Sequence, residues 1–273
     1  MSADATRVSP SWLALREPAD AKARARDLPE ALERALPATG RRVIHDLGCG
    51  TGAMGRWLAP LLAGPQHWVL HDQDADLLAL AAADLPGPAA DGAPVTLETK
   101  RSEVTRMEAA ELAGATVITA SALLDLFTAD ELDRLVGRCV GAGCPVLLTL
   151  SVVGHAEVAP ADPLDWPVAA AFDAHQRRAT ERGRLLGPDA VDFATEAFRR
   201  LGAEVLVRPS PWRLGPAHSA LAAEWFTGWV GAACEQEVEL AGLCGPYARR
   251  RLEQATAGEL AVTVGHADLL VLP

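Results

Sequence analysis

The stretch Val43-Ile44-His45-Asp46-Leu47-Gly48-Cys49-Gly50-Thr51-Gly52 decides the fold. Arg41–Leu47 reads as a short buried strand, and the glycines behind it let the backbone turn sharply and approach a ligand closely. The helix expected next, through Leu58 and Leu62, stops at Gly64-Pro65 and presents free N–H groups at its amino end. Further strands are expected at His67–Leu70, Val95–Thr99, Val117–Ala120 and Pro145–Leu150, with helices over 74–84 and 129–140 between them. Strands alternating with helices at this spacing mean βαβ units and a mainly parallel sheet.

Upstream, Pro18–Leu36 predicts one or two helices, so residues 1–39 read as an N-terminal arm over the cleft, before a main domain at 40–273. Beyond the fifth strand the pattern loosens. Prolines and a charged helix around Phe172–Arg184 suggest a lid inserted at about 154–188. Regular order returns with a helix at Asp189–Leu201, a strand at Glu204–Arg208, a long helical region over about 217–254, and a last strand near Leu260–Val264 or His266–Leu272.

The chain has 273 residues and a net charge of −11, a balance that argues against nucleic acid, whose affinity comes from basic side chains. It has no Asn, and its only lysines are Lys22 and Lys100, which removes the Gly-Lys-Ser/Thr phosphate loop. Five cysteines at spacings of no ligand type, no apolar leader and no membrane-length apolar run give the expectation of a cytoplasmic protein without a membrane partner, monomer or homodimer. His67 and His71 would lie roughly 13 Å apart on a strand. That is too far to share an ion, so no metal is expected.

The glycines alone leave two readings open, because Gly50-x-Gly52-x-x-Gly55 with Asp72 further on also fits a dinucleotide fingerprint. Asp46 at the loop mouth would repel a pyrophosphate and suits a cationic amino group. A short-chain dehydrogenase would need Tyr-x-x-x-Lys, and the sole tyrosine, Tyr247, has no lysine after it.

Asp46-Leu47-Gly48-Cys49-Gly50-Thr51-Gly52 resembles the first motif of the class I S-adenosylmethionine-dependent methyltransferases. The resemblance implies a three-layer, Rossmann-like, doubly wound α/β fold: a mainly parallel seven-stranded sheet with an antiparallel C-terminal strand. It implies S-adenosylmethionine as cofactor, with Asp46, Gly48, Cys49, Gly50 and Gly52 around its methionine and ribose parts. It puts Asp72, next to Gln73, on the ribose hydroxyls, leaves Asp74 as a helix N-cap, and places Ser102, Glu103 and Val104 near the adenine. Ser121 and Leu123 would wall the methyl donor. Asp125 either faces the substrate or caps the next helix.

The acceptor is expected to be a small molecule methylated on oxygen or nitrogen, since the Asp/Asn-Pro-Pro-aromatic motif of amide and base N-methylating branches is missing. An RNA methyltransferase, or a non-catalytic cofactor-binding protein of the same fold, is the alternative. An oxygen acceptor needs a general base. His155, at the end of the fifth strand, is the first candidate and His175 the second. Trp12, Trp166 and Trp212 fall in the three segments expected over the cleft and suit a planar or cationic acceptor, with Arg16 and Arg213 available for a carboxylate. Trp225 and Trp229, four apart on a helix, read as packing.

Overall fold

The computed structural model describes residues 8–84 and 86–273; the first seven residues of the expected arm, and Leu85, lie outside the described residues. The arm folds as α1 (Pro10–Ala23) and α2 (Asp27–Ala35). Ser9 caps α1 by accepting from the Trp12 amide, and Pro10 opens the helix, where no N–H is needed. Then come β1 (Arg42–Leu47), α3 (Ala53–Leu58), β2 (Gln66–Asp72), α4 (Ala75–Ala83), β3 (Val95–Arg101), β4 (Val117–Ser121), α5 (Ala129–Gly141) and β5 (Val146–Ala159). Asp74 caps α4 by accepting from the amides of Asp76 and Leu77. Thr128 and Glu131 close a reciprocal capping box on α5.

The second half runs through α6 (Asp165–Gln176), a hairpin of β6 (Ala179–Thr180) and β7 (Gly183–Arg184), α7 (Ala190–Arg200), β8 (Glu204–Pro209), β9 (Trp212–Leu214), α8 (Ser219–Gln236), α9 (Val238–Ala257) and β10 (Ala261–Leu272). The main sheet has the order β3-β2-β1-β4-β5-β10-β8. Neighbours from β3 to β5 are parallel, and β10 runs antiparallel to both β5 and β8. The short β9 pairs with Val262–Val264 of β10 while β8 pairs with Ala267–Leu272, so the two lie end to end and the sheet keeps seven strand positions. The chain moves outward from β1 to β3 and then returns to β4 on the other side of β1. The carboxyl ends of β1 and β4 therefore flank the crevice where such sheets bind ligands.

Two apolar layers sandwich the sheet. Leu28, Leu32, Met54, Leu58 and Leu78 from α2–α4 pack with Ile44, Trp68 and Leu147. On the other face Leu132, Val136, Ala194 and Phe198 from α5 and α7 pack with Ile118, Val146 and Leu269. A third cluster joins Val158, Val168, Phe226, Trp229, Tyr247 and Val262, and it sits on an extension of the sheet.

That extension departs from expectation. β5 does not end at Leu150 but runs to Ala159, paired residue for residue with β10 from Ala261 to Val264. The break in the sequence pattern comes from a local irregularity: Leu150 takes φ +56°, and its amide donates to Asp268 Oδ1 (2.8 Å), where the β5–β10 register shifts. A side chain thus satisfies the amide that the ladder loses at the bulge. The charged helix expected at Phe172–Arg184 ends at Gln176 instead. Gly183, at φ +124°, supplies the turn conformation of the small hairpin that follows. Residues 217–254 form two helices, broken where Glu237 is extended, and the two alternatives for the last strand are one strand.

Candidate functional site

The loop after β1 holds Gly48, Gly50 and Gly52 at φ +64°, +56° and +83°. A Cβ on Gly48 would stand 3.1 Å from a Leu123 methyl, and one on Gly50 would stand 3.2 Å from a methyl of Leu13 in α1. Both positions thus require glycine for conformation and for space. The Gly50 amide donates to Asp72 Oδ2 (2.9 Å), the Cys49 amide to the His71 carbonyl (2.9 Å), and the Gly52 amide to the Cys49 carbonyl (2.9 Å). The other Asp72 oxygen accepts from the Asp74 amide (2.9 Å). A carboxylate from β2 therefore occupies the amide that a phosphate-cradling loop would turn outward, which separates this loop from the dinucleotide reading. The following helix is also only six residues long.

Asp46 is handled differently. It is 1% exposed, its Oδ1 accepts from Thr119 Oγ1 (2.8 Å), and its Oδ2 has no partner. Burial pushes its carboxyl up to about 7, against the pull of Thr119 and Arg24. Arg24, at the end of α1, is 2% exposed. Its Nε donates to Thr149 Oγ1 (3.3 Å) and its Nη2 to Ser121 Oγ (3.1 Å), while Nη1 has no partner. The guanidinium lies 4.9 Å from the Trp57 ring centre, and burial lowers its affinity for its proton. A guanidinium and a carboxyl that feel each other's charge thus lie at the carboxyl ends of β1 and β4, beside Thr149 of β5, each with an unused buried atom. Arg24 was missed from the sequence because Lys22-Ala23-Arg24-Ala25-Arg26 looks like any solvated helix face.

The other expected cofactor residues are spread along the same rim. Ser102 Oγ is 3.0 Å from His71 Nδ1, and His71 Nε2 is 3.0 Å from His45 Nδ1. Burial pushes both imidazoles down to about 4, so the pair is neutral near pH 7. Glu103 accepts from Thr105 (2.7 Å) and pairs with Arg106 (3.3 Å), Val104 is buried, and Gln73 is exposed with its carbonyl taking the Arg101 Nε–H.

Of the acceptor candidates, Trp12, Arg16 and Trp212 converge. Arg16 lies 5.0 Å from the Trp212 ring centre and 5.9 Å from that of Trp12, and it bonds Asp20 at 2.8 and 3.3 Å. Trp212 is not in a loop but in β9, 2% exposed, with Nε1 donating to Asp20 Oδ1 (2.9 Å). Alternation along β9 leaves Arg213 exposed on the other side. His266 adds a ring 5.2 Å from Trp212. Asp125 follows β4; although part of its surface meets solvent, burial pushes its carboxyl up to about 6, with Arg16 and Arg178 as the opposing charges.

Three candidates stand apart. Trp166 is 79% exposed on α6. His155 lies on the β5 extension with its side chain in solvent, 3.3 Å from Glu157. His175 is turned to Glu235 of α8 (3.3 Å) and lowered by burial. Both His155 and Trp166 lie where they do because β5 continues as strand and carries α6 beyond the rim. Trp225 and Trp229 stack at 5.2 Å. Among the described residues no group of three His, Cys, Asp or Glu is arranged to hold a metal ion, and no helix is long and apolar enough to cross a membrane.

Comparison with solved structures gives similarity to a cyclopropane synthase from Mycobacterium tuberculosis, at 13% identity and a TM-score of 0.49 over 96% of this chain and 94% of that one. A methyltransferase from Geobacter sulfurreducens in complex with S-adenosylhomocysteine is similar at 17% identity and 0.45, over 97% and 98%. A phosphoethanolamine N-methyltransferase from Haemonchus contortus is similar at 16% and 0.42, over 90% and 52%. No family model and no curated protein matches the chain.

Proposed function

We propose that the chain transfers a methyl group from S-adenosylmethionine to a small-molecule acceptor. The observation that carries this reading is Asp46: a buried carboxylate with an unpartnered oxygen at the mouth of a loop of three left-handed glycines. A buried carboxyl with an unpartnered oxygen offers a pyrophosphate no cation and is drawn to its charged form by an adjoining cation, so it calls for a cationic ligand group, and a methionine-derived cofactor brings one. The residues present fit that cofactor. Gly48, Gly50 and Gly52 give the loop the left-handed turns that bring its backbone to the crevice, Asp72 has lone pairs left for two ribose hydroxyls, and Ser121 and Leu123 would form the wall toward β4.

When bound, the cofactor supplies an electrophilic methyl group on a sulfonium. The chain's own work is then to orient donor and acceptor and to exclude water, the main demands of an in-line displacement. Helix α1, with Leu13 over Gly50 and Arg16 between two indoles, covers the rim where the acceptor would lie. Asp125 takes the place first given to His155: a carboxyl poised at about 6 accepts a proton from an acceptor hydroxyl near neutral pH. Calorimetric titration tests the first step. Binding of S-adenosylhomocysteine with no binding of NAD is expected; tight NAD binding without it overturns the proposal.

A further inference from the structure

Strained backbone marks the rim at two adjacent strands. Ala122, just past β4, takes φ +51° and Leu150 of β5 takes φ +56°, and among the described residues they are the only non-glycine positions with positive φ. Strain of this kind persists where the surroundings over-determine it, and it gathers at functional sites. Asp125 follows the first and Ser151 the second. Ser151 is 1% exposed, and its Oγ has no partner. The turns Leu124–Leu126 and Gly187–Asp189 pack on each other and on β5, and the second also packs on α6, so the end of α6 comes to the same place. There Gln176 Oε1 is a further buried atom without a partner. Arg178 stands two residues beyond. Its neighbours Arg177 and Arg182 pair with Asp189 and Glu131, whereas Arg178 has the His175 carbonyl (3.3 Å) and, among the described residues, no carboxylate within ion-pair reach. Two cations reach Asp125 with their charge: Arg16 from α1 and Arg178 from beyond α6.

We propose that this end of the cleft takes the acceptor and that the acceptor is a hydroxylated carboxylic acid, its carboxylate held by Arg178 and the Ser151 hydroxyl while its own hydroxyl meets Asp125. The proposal rests on the methyl-transfer reading above and names its substrate class. The choice of anion follows from charge. Arg16 is committed to both oxygens of Asp20, so a single guanidinium is left uncompensated. Its planar fork and single charge match one carboxylate, whereas a phosphate brings up to two charges. The half-buried Trp12 and Leu123 offer apolar surface for the body of the acid. In the transfer the acceptor oxygen bonds to the methyl carbon as the carbon–sulfur bond breaks and its electron pair returns to sulfur. The hydroxyl proton goes to Asp125 and from there to solvent. The carboxylate keeps its charge throughout, so Arg178 serves binding and alignment.

The probes are 2-, 3- and 4-hydroxybenzoate and the three matching hydroxybenzamides, which keep ring and hydroxyl and lose the charge. Binding is read by calorimetry with S-adenosylhomocysteine at saturation, and transfer with radiolabelled S-adenosylmethionine. At least one hydroxybenzoate is expected to bind and to be methylated to the ether, its amide being weaker by roughly tenfold or more. Arg178→Gln removes that preference at unchanged S-adenosylhomocysteine affinity, and Arg178→Lys restores part of it. Ser151→Ala weakens the acid by roughly three- to tenfold. Acid and amide bound alike, a preference that survives Arg178→Gln, a methyl ester as product, or no hydroxybenzoate bound at millimolar concentration overturns the proposal, while binding of S-adenosylhomocysteine keeps the methyl-transfer reading standing. Absence of S-adenosylhomocysteine binding overturns that reading and the proposal with it. The comparison of acid with amide needs no variant to fold.

Discussion

The two ends of the β5–β10 ladder are built on opposite principles. At the sheet rim, between β1 and β5, buried charge is left partly unpaired: Asp46 and Arg24 each keep an unused atom. On the extension, buried charge is matched by opposite charge, with Arg251 Nε the one atom of its guanidinium left without a partner. Arg251, 1% exposed, donates to both oxygens of Asp165 at 2.5 and 2.7 Å, to the Pro160 carbonyl and to Gln254, while Tyr247 donates to the same Asp165 at 2.6 Å. Asp165 belongs to α6, and Tyr247 and Arg251 to α9, so this network fastens the two helices over the strands. Polar groups on the extension are consumed in holding helices to strands, whereas those at the rim keep hydrogen-bonding capacity that the proposed ligand would use.

Breaking the charge-paired end has the largest expected effect. Arg251→Ala leaves the half-buried Asp165 beside Tyr247 without its cation and empties the site of a buried guanidinium, and removing one partner of a buried pair costs about 3–5 kcal/mol. Urea unfolding should show a loss of that size with S-adenosylhomocysteine affinity kept by the remaining folded protein. A loss below about 1 kcal/mol would place Arg251 among ordinary surface pairs. At the rim the reverse is expected. Gly48→Val forces a β-branched residue to φ +64° and against Leu123, so ligand binding is lost beyond detection in calorimetry. The far-UV dichroism should persist, because no core contact of the sheet is removed.

Asp72→Ala separates the two carboxylates of the rim. Its loss frees the Gly50 and Asp74 amides and takes away the ribose acceptor, so S-adenosylhomocysteine and 5′-methylthioadenosine, which lacks the amino-acid end, should weaken together by roughly ten- to a hundredfold. Asp46→Asn, by contrast, should affect the two nucleosides unequally. A common loss from both variants would merge the two roles.

The contrast also explains what the sequence revealed. Glycines and strand-end carboxylates are local signals, and the reading of Asp46, Asp72 and the loop needed no long-range contact. The Asp74 cap was equally local. The extension was hidden because the irregularity at Leu150 is stabilised by Asp268, which lies 118 residues away along the chain, and short-range periodicity carries no trace of that bond. The same holds for Arg24, whose partners Ser121 and Thr149 lie 97 and 125 residues downstream. Trp212, expected in a loop, lies in a buried strand with its indole N–H given to Asp20, a partner 192 residues away that short-range pattern does not reveal.

The smallest effects decide which acid–base group belongs to the rim. Asp125 is held up to about 6 by burial, so its proton is lost as pH rises through that value, and turnover of a hydroxyl acceptor should rise over the same interval. The stability ledger has the opposite sign: a carboxyl raised above its unfolded value binds more protons in the folded chain. Its contribution is therefore present at low pH and fades as pH rises from about 4 to 6. Asp125→Asn should flatten the pH profile of turnover, lower its plateau about tenfold or more, and leave S-adenosylhomocysteine affinity unchanged. His155→Ala should change neither rate, affinity nor melting temperature, since the ring sits in solvent beside Glu157 and holds nothing buried. If instead His155→Ala lowers turnover and Asp125→Asn does not, the extension must fold back over the rim during reaction. The division between a charge-paired, architectural end and a rim proposed to bind the ligand would then fail where it matters most.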